Sequence, residues 1–314
     1  MKIVLLEPLG VSPEKLNELV IEDMGHEFRA YDVFTSDTDE LKERVAGADI
    51  LILASHPLPG EVIESEPGLK FISVAFVGLD HVDLNVCKKR GIPVSNTGGY
   101  CDDAVAELAL GLTLDCLRNI SECDRAVKSG LGKGKLSGNE LAGKTVGIVG
   151  TGAIGRRSAQ LFKAFKCKLV GFNRSKCPEA EAIGIEMMSL EDLMKVSDIV
   201  SIHTPLTPET KGLIGADEIK LMKNGAILIN TARGPVVDNK SLADALKANK
   251  IKAGIDVYEN DPPLSKNHPL MGVGNIVMTP HVAFDTKESI ERRANMAFEN
   301  VEAWLRGQAI RIIN

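Results

Sequence analysis

The 314-residue sequence lacks any apolar run long enough to span a bilayer or to form the core of a secretion signal. Its start, MKIVLLEPLG, holds only four large apolar residues before a charge and a proline, which fits a first strand. A basic block is also missing. The formal net charge is −6 and the isoelectric point is near 5.6. The short CKKRG and ERR clusters fit solvated helix faces, so nucleic acid and membrane surfaces are excluded as partners. The six cysteines (Cys87, Cys101, Cys116, Cys123, Cys167 and Cys177) contain no CxxC pair and no cysteine–histidine zinc spacing. No metal site is expected. The thiols read as reduced side chains packed as small hydrophobes in a cytoplasmic protein. Low-complexity tracts and strict repeats are absent too.

What is present is a series of short apolar runs with helical stretches between them. KIVLL, DILILA, LKFISVA and PVSN occupy the first hundred residues; TVGIVG, KLVGFN, DIVSIH, AILINT, IKAGID and NIVMTPH follow a long helical segment. Runs that are continuous and not alternating suit strands buried on both faces of a parallel sheet. Their alternation with helices indicates βαβ units. There are too many strands for one compact sheet, so the fold class expected is α/β with two doubly wound parallel-sheet domains. The stretch Ala104 to Ile120 is apolar nearly all the way round and must be buried, within the chain or partly against another subunit. Near the C-terminus Ile290, Ala294, Ala297, Val301 and Trp304 form one stripe on a helix ending before Gly307.

Thr145 to Asn173 carries the most specific chemistry. The run TVGIVG ends in Gly150-Thr-Gly152-Ala153-Ile154-Gly155, a helical stretch follows, and KLVGF closes on Asn173-Arg174-Ser175. A dinucleotide site needs this strand, glycine loop, helix and strand. Gly150 allows the tight turn, Gly152 lets backbone approach a pyrophosphate, and Gly155 lets helix and strand pack closely. The pyrophosphate then rests on the helix N-terminus. An acidic side chain at the end of the second strand would hold the adenosine ribose. Here it is Asn173, beside Arg174, Ser175 and Lys176. A neutral amide does not repel a 2′-phosphate, and a guanidinium can pair with it, so NADP is favoured over NAD. Otherwise Arg174 and Lys176 are ordinary loop charges and the cofactor is NAD.

Several motifs in order, FVGLDHVDL, NTGGYCDDAVAELALGL, TVGIVGTGAIG, HTPLTPETKGLIG, INTARGPVVD, GIDVYENDPP and TPHVAF, are similar to those of the D-isomer-specific 2-hydroxyacid dehydrogenases. The resemblance runs nearly end to end. It implies a Rossmann cofactor domain (99–284) inserted into a flavodoxin-like substrate domain (1–98 and 285–314), a cleft between them, and a homodimer whose contacts include the Ala104–Ile120 helix. It implies that Arg233 pairs with the substrate carboxylate and polarises its carbonyl, and that His281 is the general acid. A planar fork of donors suits a 2-keto acid, and histidine suits reversible proton transfer near neutral pH. The family's usual glutamate before a proline is here Asp261, one methylene shorter, expected to orient His281 and stabilise its charged form; Glu259 is the substitute candidate.

Further residues follow from the same resemblance. Val77, Gly78 and Leu79 match the loop whose amides hold the substrate carboxylate, and Ser55 and His56 match a substrate-side loop, though a plain turn before Pro57 explains them equally. Asp256 is expected near the nicotinamide, and Thr204-Pro205 and Thr231-Ala232 along the cofactor. Cys101 falls near the expected cleft. His26 and His268 are expected at the surface, and His81 and Asp83 at a helix start. The implied activity is reduction of a small 2-keto acid to the D-2-hydroxy acid, with glyoxylate or hydroxypyruvate leading. Competing expectations are a dehydrogenase of another small anion on the same scaffold, and a dinucleotide-sensing regulatory protein.

Overall fold

The computed structural model describes residues 1–20 and 25–314. The chain divides into two compact units, Met1–Cys101 with Asp285–Asn314, and Asp102–Phe284. In the first unit, β1 (Lys2–Leu5), β2 (Glu27–Ala30), β3 (Ile50–Leu53), β4 (Phe71–Val74) and β5 (Val94–Ser95) form a parallel sheet in the order β2-β1-β3-β4-β5. All four residues of β3 and of β4 are buried, as continuous apolar runs require.

The long helix Lys287–Leu305 returns the C-terminal segment to this sheet. Thr286 caps it, accepting from the Ser289 amide, while Ser289 Oγ accepts from the Thr286 amide. Its face of Ala294, Ala297, Phe298 and Val301 packs on Ile3, Leu5, Ile50, Ile52 and Phe71. Trp304 stacks on Phe71 with ring centroids 5.2 Å apart. The expected stripe is therefore the buried face.

The second unit holds β6 (Thr145–Val149), β7 (Lys168–Phe172), β8 (Glu186–Met187), β9 (Ile199–Ile202), β10 (Ile227–Asn230), β11 (Lys252–Ile255) and β12 (Ile276–Met278). Every pairing is parallel, in the order β12-β11-β10-β9-β6-β7-β8. Strand order reverses between β6 and β9, so the loops leaving their carboxyl ends frame a crevice of the kind where open α/β sheets take ligands.

Two strands escape the sequence pattern, β2 and β8. Both lie at sheet edges and are largely exposed, so neither needs the continuous apolar run that marks its neighbours. The expected helix from Ala104 to Ile120 is corrected as well. It spans Asp102–Arg118, stops at Asn119 in the left-handed region (φ 54°), and a second helix, Ile120–Lys128, follows. Ala109, Leu112, Cys116 and Leu117 bury one side against Val146, Ile148, Phe162 and Ile229. Glu107, Gly111 and Arg118 face outward, so the chain itself does not cover the whole helix. Burial pushes the thiol of Cys116 up to about 12 and that of Cys87 up to about 11, which makes both inert packing groups. Among the described residues no helix is long and apolar enough to cross a membrane, and no group of three or more histidine, cysteine, aspartate and glutamate side chains could hold a metal ion.

Candidate active site

The glycine loop after β6 has three different local reasons for glycine. Gly150 has φ 95°, and a Cβ there would lie 2.7 Å from the carbonyl oxygen of His203. At Gly155 a Cβ would land on the carbonyl oxygen of Gly150, so the helix Ala153–Ala164 could not lie so close to its own strand. Gly152 is the opposite case, since a Cβ there would meet no atom within 4 Å. Gly152 also begins the helix without a side-chain cap, and no acidic residue occupies the first turn. The start of that turn, at Gly152 and Ala153, is exposed and offers its uncapped amides to an anion.

The adjoining loops carry buried polar atoms with no protein partner. They are the hydroxyls of Thr151 after β6, Thr204 after β9 and Thr231 after β10, together with Nδ1 of His203. Buried polar groups are nearly always hydrogen-bonded, so four such atoms along one carboxyl edge fit a polar ligand laid across it. A nicotinamide dinucleotide fits this donor set. Pro205 and Ala232, each next to one of these threonines, belong to the same loops.

Burial also pushes the His203 imidazole down to about 4 from 6.5, with Ser201 Oγ bonded to its Nε2 at 2.9 Å. The unfolded chain takes up this proton near pH 6.5 and the folded chain resists it until about pH 4. Stability from this group is complete above pH 6.5 and is lost as pH falls toward 4. Between pH 7 and pH 5 the loss is on the order of 2 kcal/mol. Urea unfolding at both pH values should show a smaller acid loss in His203→Gln; equal losses would remove His203 as the cause.

At the end of β7, Asn173 Nδ2 donates to the carbonyl of Ser175 at 2.9 Å, closing a short turn. Arg174, Ser175 and Lys176 are exposed beyond it. Glu209, in the TPET loop, is held below the usual carboxylate range first by its hydrogen bond from Thr207 and then by its own amide, with the Arg174 charge contributing. The sequence pattern did not reveal this acidic neighbour of Arg174, because the two loops are far apart along the chain.

Arg233, Asp261 and His281 follow β10, β11 and β12, neighbouring parallel strands, and so share one edge. Asn230, 1% exposed, sets the first turn: its Oδ1 accepts from the Ala232 amide and its Nδ2 donates to the Arg233 carbonyl, both at 3.0 Å. A Cβ on Gly234 would land on the backbone of Tyr258, so the TARG turn packs directly on the segment after β11. Arg233 is half-buried, and its Nη1 donates to the Ala232 carbonyl at 2.8 Å.

His281 Nδ1 donates to Asp261 Oδ1 at 2.7 Å, so the shorter side chain still reaches. The histidine side chain is 20% exposed and the aspartate 73%. The ring sits edge-on to Phe284, centroids 5.4 Å apart. Glu259, the substitute candidate, is engaged elsewhere: it accepts from Asn239 Nδ2 at 2.7 Å and from His268 Nε2 at 2.9 Å. His268 is thus a half-buried partner of Glu259, a correction to its expected place at the surface.

Asp256 supports the turn that carries His281. It is fully buried, and its carboxylate accepts from Thr279 Oγ1 at 2.6 Å and from the amides of Val282 and Ala283 at 2.9 Å. Its carbonyl accepts from the His281 amide at 2.8 Å. The fold shows Asp256 as a clamp on the turn bearing His281. The clamp has something to hold, because His281 adopts φ 59°, a left-handed conformation that strains a residue with a side chain.

In the first unit, Ser55 follows β3 and is exposed, and Val77, Gly78 and Leu79 follow the adjacent β4 and are half-buried. Asn96 Nδ2 donates to the Val77 carbonyl at 2.9 Å, and the Val82 amide to that of Leu79 at 3.0 Å. Asp83 caps the next helix, Leu84–Arg90, accepting from the amides of Asn85 and Val86. Cys101 is buried.

Residues 110–283, more than half the chain, match the model of the D-isomer specific 2-hydroxyacid dehydrogenase, NAD binding domain. Over its full length the chain is 33% identical to a hydroxypyruvate reductase from Blautia hydrogenotrophica, with 100% of each covered. It is 42% identical over 279 residues to a glyoxylate reductase from Thermococcus litoralis, covering 85% of this chain and 84% of that one. An acyclic imino acid reductase solved in complex with NADPH and D-Arg superposes with a TM-score of 0.91 at 30% identity, covering 100% of both chains.

Proposed function

Because the chain belongs to the D-isomer specific 2-hydroxyacid dehydrogenases, oxidoreductases acting on CH–OH groups, we propose that it reduces a glyoxylate- or hydroxypyruvate-type 2-keto acid to the D-2-hydroxy acid with NADPH favoured. The observation that carries this reading is the His281–Asp261 pair on the same sheet edge as Arg233 and the buried threonine hydroxyls.

Arg233 offers a planar fork of donors to the carboxylate and carbonyl oxygens, which are nearly coplanar in a 2-keto acid; this orients the substrate and draws charge onto the carbonyl oxygen. The dinucleotide, when bound, supplies a hydride to the substrate's C2. His281 gives its Nε2 proton to the carbonyl oxygen as charge develops there, and takes it back in the oxidative direction. Asp261, holding Nδ1, fixes the ring so that Nε2 faces the reaction, and Asp256 holds the backbone turn beneath it. On the cofactor side, Gly150, Gly152, Ala153, Ile154 and Gly155 would hold the pyrophosphate, while Thr204, Pro205, Thr231 and Ala232 would line the remainder.

NADPH preference rests on Asn173, Arg174 and Ser175, where no carboxylate ends β7. The NADPH complex of the imino acid reductase supports it by analogy. A homodimer is supported by exposed apolar side chains beyond the helix Asp102–Arg118, among them Ile120, Val127 and Leu131. The cytosol as compartment rests on six cysteines with no disulfide among the described residues.

Steady-state reduction of a 2-keto acid panel with NADPH and NADH tests the whole reading. Turnover should be clear and kcat/KM higher with NADPH, and Asn173→Asp should shift the NADPH/NADH ratio at least about tenfold toward NADH, since a carboxylate repels the 2′-phosphate. A better rate with NADH in the unaltered protein would reduce Arg174 to a surface charge. No turnover with any member would sink the reductase assignment and favour the sensing role.

A further inference from the structure

The first turn of the helix after the glycine loop carries a cation where the helix dipole disfavours one. Arg156 follows Gly155 in the helix Ala153–Ala164, at the end whose partial charge is positive. The side chain is half-buried and turned back toward the loop. Its Nη1 donates to the Thr151 carbonyl at 2.9 Å and lies 3.8 Å from Cys177 Sγ. Cys177 is 8% exposed and stands just before the helix Pro178–Ala182. Its thiol lies 3.4 Å from the same Thr151 carbonyl and 3.5 Å from Glu179 Oε2.

One carbonyl is thus met by a guanidinium from the helix and by a thiol from the segment after β7. The consequence falls on the other end of the same peptide. The Thr151–Gly152 bond is trans, and in a trans peptide the C=O and N–H point in opposite directions. Holding the Thr151 oxygen toward Arg156 and Cys177 therefore turns the Gly152 N–H away from both. That amide has no acceptor among the described residues, and Gly152 is exposed at the uncapped start of the helix. Glycine tolerates φ of either sign, so a peptide beside it flips readily unless something outside holds it. Arg156 supplies that hold. It also ties the glycine loop to the segment bearing Asn173, Arg174 and Ser175, because β6 and β7 are neighbours and Cys177 stands four residues beyond Asn173.

Resting on the dinucleotide reading above, we propose that Arg156 is a positioning residue for the cofactor. It fixes the Thr151–Gly152 peptide so that the Gly152 amide is set to meet an anion, the pyrophosphate of the dinucleotide, before the cofactor arrives. An amide that need not turn on binding adds no ordering cost at that moment. The pyrophosphate is common to NADPH and NADH, so Arg156 serves both equally, and selectivity between them stays with Asn173, Arg174 and Ser175. A direct contact of Arg156 with a 2′-phosphate would instead favour NADPH alone. Cys177 reports on the arrangement without any cofactor, because Arg156 lies against its sulfur.

The test is titration calorimetry of NADPH and of NADH with the full chain and its Arg156→Met and Arg156→Lys variants. Arg156→Met keeps an apolar stem and loses every donor, and it should weaken both cofactors about tenfold, with the ratio of their affinities within about twofold of the parent. Arg156→Lys retains a donor and should recover most of that loss. In turnover the KM for cofactor should rise while kcat falls far less, since Arg156 touches neither the proton nor the hydride. In the cofactor-free protein, iodoacetamide labelling of Cys177, read by peptide mass spectrometry, should be about fivefold faster in Arg156→Met. If Arg156→Met folds poorly, Arg156→Gln gives the same comparison with a polar group left in the half-buried site. Affinities within twofold of the parent, or a loss confined to NADPH, overturn the assignment, and an unchanged labelling rate overturns the tie to Cys177. Failure of the parent protein to bind either dinucleotide is a separate result, and it removes the dinucleotide reading itself together with this one.

Discussion

Replacing His281 with asparagine is expected to lower kcat for 2-keto acid reduction by about 10²- to 10⁴-fold, the usual contribution of a positioned general acid. Dinucleotide binding should change little, because His281 belongs to the turn after β12 and not to the glycine loop. The loss should appear in kcat more than in KM, since the proton is needed as charge builds on the carbonyl oxygen and not when the substrate docks. Asp261→Asn should cost less, about tenfold, because its carboxylate is 73% exposed and water shares its role. Asp261→Glu should restore most of that loss if the hydrogen bond to Nδ1 is what counts. Rapid-mixing kinetics with saturating cofactor separate these effects. A His281→Asn rate within tenfold of the parent would show that another group supplies the proton.

Two glycines of one motif should respond in opposite ways. Alanine at Gly155 places a methyl on the carbonyl oxygen of Gly150, and backbone cannot move aside as a flexible side chain would. The expected cost is about 3 kcal/mol or more, seen as a drop in Tm of roughly 10 °C and weaker dinucleotide binding. Alanine at Gly152 meets nothing within 4 Å, and the residue has φ −65°, open to any side chain. The folded protein should therefore keep its Tm, yet its methyl would stand where a pyrophosphate must approach, and titration calorimetry should show binding weakened at least tenfold. An unchanged Tm in Gly155→Ala would refute the packing argument. Undiminished binding in Gly152→Ala would move the pyrophosphate away from this helix terminus.

The parallel sheets were legible because burial on both faces writes a continuous apolar run into each inner strand, as in ILIL of β3 and ILIN of β10. The edge strands β2 and β8 were not, since they are largely exposed and need no continuous apolar run. The glycine loop was legible for a related reason: left-handed backbone and close helix packing each demand glycine locally, so the spacing itself carries the geometry. Arg233, Asp261 and His281 were found as candidates through motifs, although nothing local says that 261 and 281 meet. Their hydrogen bond exists because β11 and β12 lie side by side.

Other partnerships had no local signature at all. Nothing near Asp256 in the sequence says that its carboxylate accepts the amides of Val282 and Ala283, which only the fold brings to it. Glu7 and His56 stand 49 positions apart, and Glu259 and His268 looked unrelated until the fold joined them. The amino-acid sequence by itself determined which segments become buried strands, where the backbone must turn tightly, and which dehydrogenase family the chain joins. The tertiary structure decided which polar groups share an edge and which of them are left buried without a partner. Solvation and backbone sterics act residue by residue and so leave local patterns, whereas hydrogen bonds between distant side chains depend on strand order, which no local pattern records.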